Sequence, residues 1–153
     1  MHLVDQIKEK ARKNLQTVVL PESYDERMLF AAEKIVGDGL AKIVILGDPA
    51  KIQAEAAAKG INLAGVELLN PAASPKLEAY VADLVELRKS KGLTADEARK
   101  LLTAEDNLYY AGMMVRNGDA GGEVAGCAFL VELSFLHGRE KLTPRDVFSL
   151  MKS

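Results

Sequence analysis

A single cysteine, two histidines and no tryptophan occur among the 153 residues, and each scarcity removes a class of chemistry. Cys127 has no second cysteine in the chain, so a disulfide-stapled scaffold is excluded. His2 and His137 lie far apart in sequence, which weighs against a structural zinc set and against a Ser-His-Asp hydrolase. Cys127 reads first as a small buried hydrophobe, with a reactive thiol as the second reading. No apolar run reaches the ~18 residues that suggest a membrane span, and the opening MHLVDQIKEKARKN has no apolar export core, so a cytoplasmic protein without membrane partners is expected. Twenty Lys plus Arg against 22 Asp plus Glu leave a formal charge of −2, without the broad basic field that duplex nucleic acid requires. Neither GxGxxG nor GxxxxGK[ST] is present, so the dinucleotide and P-loop fingerprints are missing as well.

What remains is a chain able to build an ordinary core. Hydrophobic residues make up 48% and charged residues 27%, which argues against disorder. A globule of this length buries roughly 70% of its unfolded surface. Residues 3–13 have the spacing of an amphipathic helix, and Thr17-Val18-Val19-Leu20 is a short strand halted by Pro21. Ser23 with Glu26 forms the pattern of a capping box, and Met28, Ala31, Ala32, Ile35 and Val36 repeat at helical spacing up to Gly37 or Gly39. Lys42 to Leu46 reads as a buried strand, followed by Gly47, an Asp48-Pro49 helix start and a helix to Lys59.

Val66 to Leu69 is the next strand, and Ser74-Pro75 is expected to cap a helix with Leu77, Tyr80, Val81 and Leu84 on one face, running to about Lys91. Thr94 with Glu97 opens a short helix, and Asp106 opens another with Leu108, Ala111, Gly112 and Val115 inward, ended by Gly118. Strands alternating with helices across short connections predict an α/β domain with a mostly parallel sheet.

Ligands of open α/β sheets gather at the carboxyl ends of strands, so the turns after Leu20, Leu46 and Leu69 are the places to search. Pro21 to Arg27 carries three acids, a hydroxyl and a guanidinium at a helix start, making Ser23 and Arg27 candidate phosphate ligands. Helix capping by Ser23 and the first-turn acids is the competing explanation. The glycine-dense stretch from Val115 to Gly126, with Gly118 and Asp119, permits close approach by a ligand or by another backbone. Arg88 lies eleven residues beyond Leu77, and about 100° per residue returns it to the face of Leu77, Val81 and Leu84. It serves either the helix dipole and packing, or a phosphate or carboxylate ligand.

Leu20-Pro21-Glu22-Ser23 with Asp25-Glu26-Arg27, Leu40-Ala41-Lys42 before Ile45-Leu46-Gly47, Glu86 to Gly92, and Tyr110 to Val115 running into Gly118-Asp119-Ala120 follow one another in an order that resembles the N-terminal part of phosphate acetyltransferases. The resemblance covers residues 1–126, and residues 127–153 depart from it as a divergent tail expected to pack on the same domain. It implies a three-layer αβα lobe of the phosphate acetyltransferase and isocitrate dehydrogenase-like fold, half of a two-domain enzyme active as a homodimer. The substrates it implies are coenzyme A, acetyl phosphate and phosphate, with no metal and no bound cofactor.

Arg88 in the ELRKSKG segment matches a position linked to coenzyme A binding in that family. Ser23, Arg27, Gly118 and Asp119 remain substrate or phosphate candidates. No residue here matches the family's catalytic base, which belongs to its C-terminal part. Gly121 replaces the second Asp of the family's Gly-Asp-Ala-Asp-Gly, and the segment from Cys127 to Leu133 replaces a Thr-rich stretch. In the tail, Phe129, Val131, Leu133 and Phe135 alternate as in a strand, His137-Gly138 marks a turn, and Thr143-Pro144 is expected to open a helix bearing Val147, Leu150 and Met151. A non-catalytic module that binds acetyl-CoA or a phosphate ligand, or an inactive truncated product, stands as the alternative.

Overall fold

The computed structural model describes residues 2–121, 126–132 and 146–152. The chain divides into two units, Met1–Gly121 and Gly122–Ser153. In the first, the order is α1 (Leu3–Lys13), β1 (Thr17–Leu20), α2 (Glu26–Gly37), β2 (Lys42–Leu46), α3 (Pro49–Ala58), β3 (Glu67–Leu69), α4 (Leu77–Leu87), α5 (Ala95–Leu102) and α6 (Leu108–Arg116). The three strands form one parallel sheet in the order β1-β2-β3, with Val18 opposite Ile43 and Val44 opposite Glu67.

Central β2 determines the layering. Ile43, Val44, Ile45 and Leu46 are all buried, and successive side chains of a strand point to opposite faces. Ile43 and Ile45 pack with Leu29 and Ala32 of α2 and with Ile52 and Ala56 of α3. Val44 and Leu46 pack with Leu77, Tyr80, Val81 and Leu84 of α4, with Ala98 and Leu102 of α5, and with Tyr110, Met113 and Met114 of α6. Apolar stripes on helices above and below one sheet produce the three-layer α/β arrangement.

Local chemistry sets the helix ends. Asp48 accepts from the amides of Ala50 and Lys51 with Pro49 in the first turn, and Thr94 with Glu97 forms a complete capping box. Three expected ends are corrected. α2 is capped by Asp25, which accepts from Arg27 N, so the helix begins at Glu26 and Ser23 remains in the preceding turn. Ser74 does not cap α4. Its Oγ accepts from Lys76 N at 3.2 Å and shares a 2.5 Å hydrogen bond with the Tyr110 hydroxyl, while α4 starts at Leu77 and gives way after Leu87 to a 3-10 turn, Lys89–Lys91. The buried face of α6 is Tyr110, Ala111, Met113 and Met114, with Val115 packed at its margin and Leu108 and Gly112 exposed, because packing against α4 and α5 sets which side faces the core.

α1 is attached by its polar side. Lys8 Nζ stands 3.4 Å from Asp38 Oδ2 and Arg12 Nε donates to the Asp38 carbonyl, whereas Leu3, Val4 and Ile7 are more than half exposed.

In the second unit, β4 (Gly126–Glu132) and β5 (Asp146–Lys152) pair in parallel, Cys127 opposite Val147. The helix expected to carry Val147, Leu150 and Met151 is therefore a strand, whose backbone groups find partners in the ladder with β4. The expected strand positions Phe129 and Val131 fall within β4. Leu133, Phe135, the His137-Gly138 turn and the Thr143-Pro144 cap lie outside the described residues, as does the side chain of Cys127.

Ile45→Ala is expected to cost about 2–5 kcal/mol in urea unfolding, while Val18→Ala, at a 41% exposed position of edge strand β1, costs under about 1 kcal/mol.

Candidate functional site

At the carboxyl edge of the sheet, the turns after β1 and β2 are drawn together by a residue that the sequence patterns did not single out. Asn107 is 7% exposed, has φ 55°, and directs its Nδ2 to three carbonyls: Pro21 at 3.2 Å, Leu46 at 3.4 Å and Glu105 at 3.1 Å. One amide thereby ties the ends of both strands to the start of α6. The only hint in the sequence is an Asn directly before a helix, a residue type that tolerates the left-handed region.

Gly47 completes the same edge. Its φ of 148° suits glycine, and a Cβ there would lie 2.6 Å from Ser23 Oγ. Ser23 therefore sits directly over the turn after β2, beside a cavity of about 320 Å³ lined by Ser23, Tyr24, Asp48, Lys51, Ile52 and Glu55. Arg27 is turned back and exposed, its Nε and Nη2 bound to the Asp25 carboxylate at 2.9 and 2.5 Å. Those hydrogen bonds hold the Asp25 carboxyl below its ordinary range, and they compensate the Arg27 charge.

Arg88 is placed differently. It follows the last turn of α4, half-buried, with its guanidinium carbon 6.0 Å from the centre of the Tyr109 ring and Nη2 donating to the Tyr109 hydroxyl at 3.4 Å. Tyr109 belongs to the first turn of α6, two residues beyond the Asn107 clamp, so Arg88 lies toward the carboxyl edge.

Gly118 and Asp119 lie at the opposite end of α6, a nine-residue helix about 13 Å long. The structure therefore does not bring them together with Arg88. Gly118, at φ 75°, stops the helix, with Asp119 N and Ala120 N both donating to Met114 O. The Asp119 carboxylate accepts from Lys76 Nζ and from the Tyr80 hydroxyl, which together lower its pKa. Burial and then the Asp119 charge push Tyr80 far above the ordinary phenol range, so it stays a neutral donor. Asp119, Lys76, Tyr80, Ser74 and Tyr110 line a cavity of about 510 Å³ beside Thr17, Lys42 and Glu67, the first residues of the three strands. An ionised Asp119 repels phosphate, and its geometry makes it an anchor between α4 and the chain leaving α6. Among the described residues no group of three or more His, Cys, Asp or Glu is placed to hold a metal ion.

A family model described as phosphate acetyl/butaryl transferase matches residues 2–133. The phosphate acetyltransferase of Corynebacterium glutamicum is 44% identical over 119 residues, covering 78% of this chain and 36% of that protein. The phosphate acetyltransferase of Acetivibrio thermocellus is 45% identical over 126 residues, covering 82% and 37%. Among solved structures, the EutD phosphotransacetylase from Staphylococcus aureus matches with a TM-score of 0.71 at 32% identity, over 86% of this chain and 37% of that one. A phosphotransacetylase from Streptococcus pyogenes matches with a TM-score of 0.70 at 27% identity, over 84% and 38%. The chain spans just over a third of the length of these relatives.

Two outcomes follow from the geometry. Asn107→Ala is expected to lower stability by about 2–4 kcal/mol, through lost hydrogen bonds and left-handed strain, and Asn107→Gly recovers roughly 1 kcal/mol of that in urea unfolding. Asp119, with its pKa lowered on folding, contributes stability above its unfolded pKa and loses it as pH falls through the folded one. The unfolding midpoint of Asp119→Asn should therefore lie below that of the parent at pH 7, and the gap should close as pH falls below the ordinary aspartate range.

Proposed function

We propose, from the premise that the chain belongs to the phosphate acetyl/butaryl transferase family, that it supplies part of a site for moving an acetyl group between acetyl phosphate and coenzyme A. In that reaction the thiol of coenzyme A loses its proton to a base, its sulfur attacks the acetyl carbonyl, and phosphate departs. The protein must hold two polyanions and stabilise charge on the carbonyl oxygen and the departing phosphate.

The observation that carries the step from family to site is Arg88. Among the described residues, Arg27 is bound to Asp25, Arg99 to Glu78 and Asp96, and Arg12 to the Asp38 carbonyl, while Arg116 is exposed at the end of α6; Arg88 is held half-buried by a neutral tyrosine. Its positive charge is thus available to a phosphate of coenzyme A. Ser23, at the carboxyl edge beside the 320 Å³ cavity, is the second candidate for a phosphate oxygen. Arg27 contributes only on exchanging Asp25 for substrate, and Gly118 and Asp119 act through the fold. The base is assigned to none of these residues and belongs to the length that the relatives have beyond this chain.

The same reading places the protein in the cytoplasm with coenzyme A, acetyl phosphate and phosphate as its small-molecule partners. The apolar stripe of Leu3, Val4 and Ile7 on α1 supports a homo-oligomer. A binding module without turnover is the second reading, since Arg88 and Ser23 are placed to hold a phosphate and supply no base.

Calorimetry with coenzyme A tests the assignment. Saturable binding is expected, weakened roughly 10- to 100-fold by Arg88→Ala. Absence of heat at millimolar coenzyme A from a cooperatively folded sample would rule the reading out. Thioester formation from acetyl phosphate separates the two readings: turnover that falls in Arg88→Ala marks an enzyme, and binding without turnover marks the module.

A further inference from the structure

We infer that Tyr109 is the positioning residue for Arg88: its ring and hydroxyl hold the guanidinium at the carboxyl edge without neutralising it, ready for a phosphate group. The inference rests on the assignment of Arg88 to ligand binding and deepens it by identifying what aims that arginine.

Four features of the structure lead there. A side chain just past the end of a helix has a flexible stem and ordinarily snorkels into water. Arg88 instead is half-buried, with Nη2 3.4 Å from the Tyr109 hydroxyl and its guanidinium carbon 6.0 Å from the ring centre. The partner is uncharged. A carboxylate at this position would order the guanidinium equally well but would also cancel the charge and compete with phosphate, as Asp25 does for Arg27. An aromatic face attracts the cation while leaving its in-plane N–H donors open to a bidentate anion.

Tyr109 is itself well anchored. It packs on the core cluster formed by α4, α5 and α6, and it stands in the first turn of α6, two residues after Asn107, whose amide is bound to Pro21 and Leu46. Arg88 is therefore referenced through α6 to the same strand ends that carry Ser23 and Gly47. Ordering a long side chain before the ligand arrives removes an entropic cost from binding, which is how a residue remote from the anion can raise affinity for it.

The test combines Tyr109→Phe, which keeps the ring, with Tyr109→Leu, which removes both contacts, each in the parent and in the Arg88→Ala background. By calorimetry with coenzyme A, Tyr109→Leu is expected to weaken binding about 3- to 10-fold and Tyr109→Phe less than about 3-fold. In the Arg88→Ala background Tyr109→Leu should have no further effect, a coupling that a purely structural role would not produce. Equal losses in both backgrounds would overturn the inference while leaving Arg88 as a ligand. A second measurement does not depend on coenzyme A: the Nε–Hε resonance of Arg88 in NMR, identified by its loss in Arg88→Lys. It should be displaced from the free-arginine position in the parent and in Tyr109→Phe, and should collapse onto that position in Tyr109→Leu. An Arg88 resonance unchanged by Tyr109→Leu would refute positioning even where coenzyme A does not bind.

Discussion

Burial of β2 on both faces is the constraint on which the rest of this molecule depends. Four consecutive apolar side chains, Ile43 to Leu46, can be removed from water only if something covers each face of the sheet; the crossovers that parallel strands require cover one face, and the helices after β3 cover the other. α2 and α3 take the face of Ile43 and Ile45, and α4, α5 and α6 take the face of Val44 and Leu46. Flanking strands β1 and β3 are then pinned in register, and their carboxyl ends meet at one edge, where loop side chains gather.

α6 converts that layering into two separate polar centres. At its start, Asn107 binds the ends of β1 and β2, and Tyr109 carries Arg88. At its end, Gly118 stops the helix, and Asp119 joins Lys76 and Tyr80 near the first residues of the strands. The first centre leaves a cation without an anion, which is the condition for binding one. The second is internally compensated, with Lys76 opposing Asp119 and Tyr80 held neutral as a donor, and such a cluster holds elements together. The same helix thus separates the edge that holds Arg88 from an internally compensated one.

Much of the fold was legible in the sequence because it rests on local rules. The 42–46 run has the length and β-branched content of a buried strand, Asp48-Pro49 and Thr94 with Glu97 are self-contained caps, and Leu77, Tyr80, Val81 and Leu84 share a helical face that is buried. The errors came where two local rules competed. Ser23 and Asp25 both had capping chemistry, and the aspartate prevailed because Arg27 reinforces it from within the first turn. Ser74 had capping chemistry as well but is engaged by Tyr110, thirty-six residues away. In the tail, Val147, Leu150 and Met151 suit a helix by spacing, yet pairing with β4 made a strand, since short segments take their structure from their partners.

Arg88 was legible from helical periodicity, although α4 ends at Leu87 and the arginine caps it. Its tyrosine was not, because residues 88 and 109 share no local pattern and meet only after α4 and α6 pack on the same face of the sheet. The placement of the candidate residues was equally beyond local reasoning: Gly118 and Asp119 stand a helix length away from the start of α6, where Tyr109 holds Arg88. By itself, then, the sequence determined the α/β class, the parallel sheet and most element boundaries, because short-range periodicity and capping encode them. Only the tertiary structure decided which charges are compensated and that Arg88 meets a tyrosine, because that depends on side chains brought together across tens of residues by burial of the sheet.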